Sequence, residues 1–111
     1  MIKISKTAFR WTITLNRTNK ANAINMEMLS KLNSILDAAK KEKQLRSLVF
    51  TGEGKVFSAG ADLDAVKKNN EITTTTQWEE LSEKIANIPC LTLAALNGTL
   101  AGGAFGMVLA C

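Results

Sequence analysis

The sequence predicts an α/β fold, because segments typical of strands alternate along the chain with segments typical of amphipathic helices. The predicted order is two strands, a helix, a strand, a helix, a strand, a glycine-rich turn and a helix. Strands joined through a helix are expected to pair in parallel, since a parallel pair needs a crossover connection. With 46% hydrophobic and 22% charged residues over 111 positions, the composition is that of a globular protein, and we expect a single domain over residues 1–111.

The first two strands lie at the start of the chain. Apolar and polar side chains alternate over residues 9–15, which is the period of a half-buried strand, and residues 2–5 are its expected hairpin partner. The apolar positions of this strand are Phe9, Trp11, Ile13 and Leu15. A polar loop over residues 16–22 follows the strand.

An amphipathic helix and a buried strand come next. From about Asn25, apolar residues recur at helical spacing with lysines and Glu42 on the other face, and the helix is expected to end near Lys43. Its apolar stripe comprises Leu29, Leu32, Leu36 and Ala39. Residues 47–52 form a short apolar run closed by a glycine, which predicts a buried strand.

Two further helices and a strand are predicted in the second half. Turn residues at 58–60 precede a short helix that Asp62 is placed to cap. Residues 72–76 are expected to form a loop before a helix that Thr76 and Glu79 begin as a capping box and that stops at Pro89. The apolar stripe of that helix comprises Trp78, Leu81, Ile85 and Ile88. Residues 91–96 then predict another buried strand before the last turn and helix.

Charge and cysteine content argue against several classes of protein. The net charge of +4 comes mostly from scattered lysines without a basic block, which disfavours a nucleic-acid-binding protein. Two cysteines without CxxC spacing, and no histidine, argue against a zinc site, so no metal is expected. Charged residues interrupt the apolar residues of the amino terminus, unlike a secretory signal, and we expect a reducing cytoplasmic location.

The uncharged stretch at residues 91–111 has alternative interpretations. It contains two GxxxG patterns, so a membrane helix is one alternative, although Asn97-Gly98 and its neighbours favour a turn, and no membrane association is expected. The stretch also matches a loose dinucleotide-binding pattern. That match is weak, because the acidic residue expected about 20 positions later would lie beyond Cys111.

Two glycine-rich turns are the candidate functional segments. "VFSAGADL" at residues 56–63 and "NGTLAGGAFG" at residues 97–106 each follow the end of a buried strand and lead into a helix. Open α/β sheets bind ligands at this place, where free backbone N–H groups point outward. Amides from two such loops that converge on one carbonyl oxygen form an oxyanion hole. The alternative is structural: the glycines and alanines serve tight turns and close packing, and Asp62 only caps a helix.

Three ordered motifs carry a family resemblance. "NRTNKANAIN" after an early strand, "LVFTGEGKVFSAGADL" and "NGTLAGGAFGMVLAC" together resemble the enoyl-CoA hydratase/isomerase (crotonase) superfamily, over nearly the whole chain from about Phe9 to Cys111. The resemblance implies a spiral of repeated ββα units, of which these residues form the amino-terminal portion. It also implies a homo-oligomer, a trimer or a pair of trimers.

The resemblance also implies a site for an acyl-CoA thioester. The backbone N–H groups of Ala59 and Gly103 correspond to the family's oxyanion donors, which hold the thioester carbonyl and stabilise its enolate. The early loop and the "AGAD" stretch correspond to the family's coenzyme A contacts, with lysines meeting the phosphates. The implied coenzyme A-binding residues are Lys20, Ala21, Ala23, Ile24, Ala59, Gly60, Ala61, Asp62, Leu63 and Gly103. No cofactor is expected apart from the coenzyme A of the substrate.

One departure from the family leaves the reaction open. Family hydratases have a catalytic glutamate at the position of Gly106, and a glycine cannot transfer a proton. Their second glutamate, and the acid or base of other members, would lie beyond Cys111, and members are more than twice this length, so we expect an amino-terminal fragment. The leading hypothesis is an acyl-CoA-processing lyase or isomerase. The alternative is a non-catalytic coenzyme A-binding or assembly module with the same fold.

Overall fold

The structure is a computed structural model that describes residues 1–64 and 71–111. In chain order its elements are β1 (Ile2–Lys6), β2 (Arg10–Leu15), a 3-10 helix (Thr18–Lys20), α1 (Met26–Lys40), β3 (Ser47–Gly52), β4 (Val56–Ser58), α2 (Glu71–Thr74), α3 (Gln77–Asn87), β5 (Leu91–Ala94), β6 (Thr99–Leu100) and α4 (Ala104–Leu109). Leu63 and Asp64 are helical, and the rest of the short helix predicted after Asp62 lies outside the described residues.

The larger sheet has the strand order β1-β2-β3-β5. β1 and β2 form the predicted antiparallel hairpin, whereas β2 pairs with β3, and β3 with β5, in parallel. The predicted parallel pairing of the later strands is therefore confirmed. Phe9 was expected on the apolar face of the second strand, but it lies before β2 and is 57% exposed, so that expectation is wrong.

Helix α1 begins and packs as the sequence predicts. The side chain of Asn25 caps it by accepting the N–H of Met28 at 2.8 Å, and the helix ends at Lys40, a little before the expected Lys43. A buried asparagine, Asn33, joins α1 to α3 by donating to the carbonyl oxygen of Gln77 at 3.1 Å. The predicted apolar stripe is buried in a core that unites the sheet with α1 and α3: Leu29, Leu32, Leu36 and Ala39 pack there with Ile13, Phe50, Leu81 and Ile85.

Helix α3 begins directly after Thr76, as predicted, but without the predicted capping hydrogen bonds. Thr76 makes no capping bond to the helix backbone; its hydroxyl contacts Glu80 at 3.1 Å, and the hydroxyl of Thr75 accepts the N–H of Gln77 instead. The predicted capping box of Thr76 and Glu79 is therefore wrong. Residues expected to form a loop before it include α2, a four-residue helix that buries Ile72. The helix ends before Pro89 as predicted, with Ile88 already extended.

The stretch at residues 91–111 is not a membrane helix. It contains two short strands and α4, and across the described residues no helix is both long and apolar enough to cross a bilayer. β5 is an edge strand of the described sheet rather than the buried strand expected at residues 91–96. Its leucines Leu91 and Leu93 are 62% and 46% exposed. β4 and β6 form a second, parallel two-stranded sheet where the sequence indicated only turns.

Candidate active site

The two glycine-rich loops lie against each other. We call residues 59–62 the AGAD loop and residues 101–103 the GG loop. A Cβ atom on Gly60 would lie 2.8 Å from the carbonyl oxygen of Ala101 and 3.0 Å from the Cα atom of Gly102. Gly60 and Gly102 also have φ angles of +96° and +60°, in the left-handed region that glycine adopts at little cost. The two loops therefore meet at a distance that only glycine allows.

The backbone N–H of Ala59 is occupied within the protein. It donates to the carbonyl oxygen of Ala21 at 3.0 Å. An N–H group that is already bonded cannot stabilise a ligand oxygen unless that bond breaks. The structure thus contradicts the assignment of Ala59 as an oxyanion donor, and gives Ala59 the role of joining the early loop to the AGAD loop.

The next amide suited to this role is that of Ala61. Ala61 forms a parallel bridge with Ile24: the N–H of Ile24 donates to the carbonyl oxygen of Gly60 at 2.7 Å, and the N–H of Asp62 donates to the carbonyl oxygen of Ile24 at 2.9 Å. In this pattern the N–H of the bridged residue points away from its partner. Accordingly, the N–H of Ala61 donates to no other residue in the described ranges.

The N–H of Gly103 is unbonded in the same way, as judged over residues 1–64 and 71–111. Its nitrogen lies 3.1 Å from the position of a Cβ atom on Gly60, and the nitrogen of Ala61 lies 3.9 Å from that of a Cβ atom on Gly102. Each unbonded amide is therefore next to the glycine of the other loop. An oxyanion hole requires two such donors directed at one oxygen, and these two unbonded amides on adjoining loops are the candidates for it.

One depression of about 230 Å³ is lined by six of the ten residues expected to bind coenzyme A, together with Asp64. The six are Lys20, Ala23, Ala59, Ala61, Asp62 and Leu63. Lys20 extends its ammonium group to the carboxylate of Asp64 at 3.1 Å. Ile24 does not fit the expectation, because its side chain is fully buried and its N–H and carbonyl groups are bonded to the AGAD loop. It orients that loop instead.

Sequence reasoning did not identify the polar residues that hold the early loop. Asn22 is fully buried with φ +54°, accepts the N–H of Arg17 at 2.7 Å, and donates to the carbonyl oxygens of Glu53 and Val56. Arg17 forms an ion pair with Asp62 at 2.8 Å. In the sequence, these two residues are marked only by the polarity of the loop at residues 16–22, because Asp62, Glu53 and Val56, which they contact, lie far along the chain.

A second depression lies on the side of Gly103 that faces α3. It has a volume of about 510 Å³ and is lined by Trp78, Glu79, Ser82, Glu83, Gly103 and Gly106. The ring of Trp78 lies against Gly103, where a Cβ atom would be 3.3 Å from it, and its Nε1 donates to the carbonyl oxygen of Ile72. At Gly106 a Cβ atom would lie 3.4 Å from the hydroxyl oxygen of Ser82, an ordinary contact. Gly103 therefore both contacts the AGAD loop and lines the depression beside α3.

Comparison with known proteins identifies the family. The family model described as enoyl-CoA hydratase/isomerase matches residues 10–111. A probable enoyl-CoA hydratase of Bacillus subtilis is 34% identical over 95 residues, which are 82% of this chain and 37% of the relative. A 4-chlorobenzoyl coenzyme A dehalogenase of Arthrobacter is 36% identical over 107 residues, 90% of this chain and 39% of the relative. The chain thus spans less than half the length of these relatives.

Solved structures confirm the fold class. The crystal structure of an enoyl-CoA hydratase from Bacillus anthracis matches with a TM-score of 0.88 and 32% identity, over 99% of this chain and 45% of that one. An enoyl-CoA hydratase-like protein from Streptomyces coelicolor matches with a TM-score of 0.88 and 26% identity, over 99% and 42%. The resemblance seen in the three sequence motifs is therefore confirmed, and this chain belongs to the enoyl-CoA hydratase/isomerase family.

Proposed function

We propose that this chain binds an acyl-CoA thioester and stabilises its enolate through the backbone N–H groups of Ala61 and Gly103. The observation that supports this most directly is that both amides are unbonded within the described residues and lie on two loops in contact. Family membership supports the choice of substrate class, because relatives are named for action on coenzyme A esters. Ala61 replaces Ala59 in this proposal.

The chemistry proceeds through charge on the thioester oxygen. When a base removes a proton from the carbon next to the carbonyl, the electron pair of that C–H bond forms a C=C bond and the carbonyl oxygen becomes negative. Two N–H donors held in place by the adjoining loops would stabilise this negative charge without reorganising, and would bind the enolate more tightly than the neutral thioester. Gly106 has no side chain to move the proton, so we assign this chain the oxyanion and binding roles only.

The two depressions support an orientation of the substrate. The nucleotide and pantetheine would bind beside Lys20 and the AGAD loop, where the ammonium group can meet a phosphate. The acyl group would then extend past Gly103 into the depression beside Trp78. The carbonyl between these two parts would be next to both unbonded amides.

A second function is favoured by Gly106. A chain of this fold without an acid or base could hold a coenzyme A ester or a partner subunit without converting it. Turnover of an enoyl-CoA, followed by loss of the conjugated double bond, tests this alternative in the protein as its source produces it. Turnover would exclude the non-catalytic module.

Titration with acetoacetyl-CoA, a mimic of the enolate, and with coenzyme A tests the leading proposal. We expect acetoacetyl-CoA to bind at least about tenfold more tightly, since hydrogen bonds to a charged oxygen contribute about 1.5–3 kcal/mol. Equal affinities would contradict an oxyanion site. A homo-oligomer and a cytoplasmic location remain predictions, which light scattering and cell fractionation of the same protein would test.

A further inference from the structure

Arg17 bonds to both segments that meet at the bridge between Ile24 and Ala61. Its Nη1 donates to the carbonyl oxygen of Ala23 at 3.0 Å, directly before Ile24, and to Oδ2 of Asp62 at 2.8 Å, directly after Ala61. One guanidinium group therefore joins the two segments beside the bridge that turns the N–H of Ala61 away from Ile24.

Burial and further hydrogen bonds constrain both partners of the ion pair between Arg17 and Asp62. The side chains of Arg17 and Asp62 are only 16% and 9% exposed, so water replaces little of the interaction if it breaks. The second carboxylate oxygen of Asp62, Oδ1, accepts the N–H of Asp64 at 2.9 Å. The backbone N–H of Arg17 donates to the side chain of Asn22 at 2.7 Å. Both partners are therefore fixed in direction as well as in distance.

We propose that Arg17 is a positioning residue that aims the N–H of Ala61 at the substrate oxygen, an inference that rests on the proposed function. Arg17 acts through Asp62 and Ala23 and need not touch the substrate. A hydrogen bond to an oxyanion weakens steeply with misalignment, so a small rotation of the Ala61 peptide would lower enolate affinity without removing the coenzyme A contacts.

The test compares three proteins by titration with acetoacetyl-CoA and with coenzyme A. Arg17→Gln removes the ion pair, and Arg10→Gln is the matched control, because Arg10 is exposed at the start of β2. For Arg17→Gln we expect the preference for acetoacetyl-CoA over coenzyme A to fall about tenfold while coenzyme A affinity stays within about twofold. Arg10→Gln should match the wild type in both titrations.

Three results would overturn the inference. An unchanged preference in Arg17→Gln shows that Arg17 does not aim the amide. An equal loss of both affinities, together with a lower Tm, shows a structural role only. A wild type without any preference for acetoacetyl-CoA contradicts the proposed function itself, and is recognised before any variant is made. If Arg17→Gln does not fold, Asp62→Asn is added to it, which removes the negative charge that the guanidinium balanced, and the double variant is judged by the same preference.

Discussion

Gly60 sets the distance between the two loops of the site. Its φ of +96° is costly for any residue with a side chain, and a Cβ atom there would also lie 3.1 Å from the Gly103 nitrogen. The unfavourable φ angle and the close contact would therefore both arise from a Cβ atom at this position. Any side chain at this position would push the GG loop away from the AGAD loop and separate the two unbonded amides.

Gly60→Ala is expected to lower the free energy of unfolding by about 2 kcal/mol or more and to abolish the preference for acetoacetyl-CoA. Thermal unfolding and titration measure the two effects. Gly54→Ala is the matched control, because Gly54 has a φ of +81° but, among the described residues, a Cβ atom there meets only Thr18, at 3.4 Å. Gly54→Ala should lower the free energy of unfolding through backbone strain alone and keep the preference for acetoacetyl-CoA. Equal loss of preference in both variants would contradict the importance of the loop contact.

Lys20 is the basic residue among those that line the depression beside the AGAD loop, and Asp64 partly neutralises it. Both side chains are well exposed, at 46% and 63%, so their pairing stabilises the fold little. In the proposed binding mode, a phosphate of coenzyme A would compete with this carboxylate for the ammonium group of Lys20. The carboxylate is therefore expected to weaken coenzyme A binding.

Asp64→Asn is expected to strengthen coenzyme A binding a few-fold at low ionic strength, with the gain disappearing near 1 M salt, where charges are screened within about 3 Å. Titrations at two salt concentrations measure it. Asp37→Asn is the control, because Asp37 pairs with Lys84 at 3.2 Å outside the depression. A gain of the same size in Asp37→Asn would indicate a general effect of net charge and refute the local explanation.

At the scale of elements, the small β4–β6 sheet connects the two loops to the larger sheet. Asn97 supports it: its side chain accepts the N–H of Gly52 at 3.0 Å and donates to the carbonyl oxygens of Gly54 and Val56. The next residue, Gly98, packs so closely that a Cβ atom would collide with the carbonyl oxygen of Lys55. What the sequence indicated as a turn is thus a tightly packed strand entry.

Gly98→Ala is expected to destabilise the protein by about 1–3 kcal/mol, because the colliding partner is backbone and cannot move aside cheaply. Gly106→Ala provides the comparison, since its Cβ atom would lie 3.4 Å from the Ser82 hydroxyl, in α4 where alanine is favoured. Thermal unfolding of both variants measures this difference in stability. A Gly98→Ala variant as stable as Gly106→Ala would mean that β4 and β6 do not pack as described.

At the scale of the whole molecule, elements that depend on local sequence patterns were predictable. Hydrogen bonds between residues far apart in the sequence were not. The hairpin, α1 and the parallel strands follow from apolar periodicity, and the two loops follow from their motifs. Ala61 could not be chosen over Ala59, because the choice depends on hydrogen bonds to Ala21 and Ile24. The capping box at Thr76 failed for a related reason: neighbouring hydroxyls compete for the same helix end, and Thr75 occupies it.

Gly103→Pro tests whether the N–H of Gly103 binds the substrate oxygen. Gly103 has a φ of −61°, which proline adopts, so the substitution removes the N–H at a suitable backbone angle. Gly103→Ala keeps the N–H and makes the same Cβ contact with Trp78. We predict that Gly103→Pro binds acetoacetyl-CoA at least about tenfold more weakly than Gly103→Ala, with equal affinity for coenzyme A. Equal affinity of the two variants for acetoacetyl-CoA would show that the Gly103 N–H does not bind the substrate oxygen.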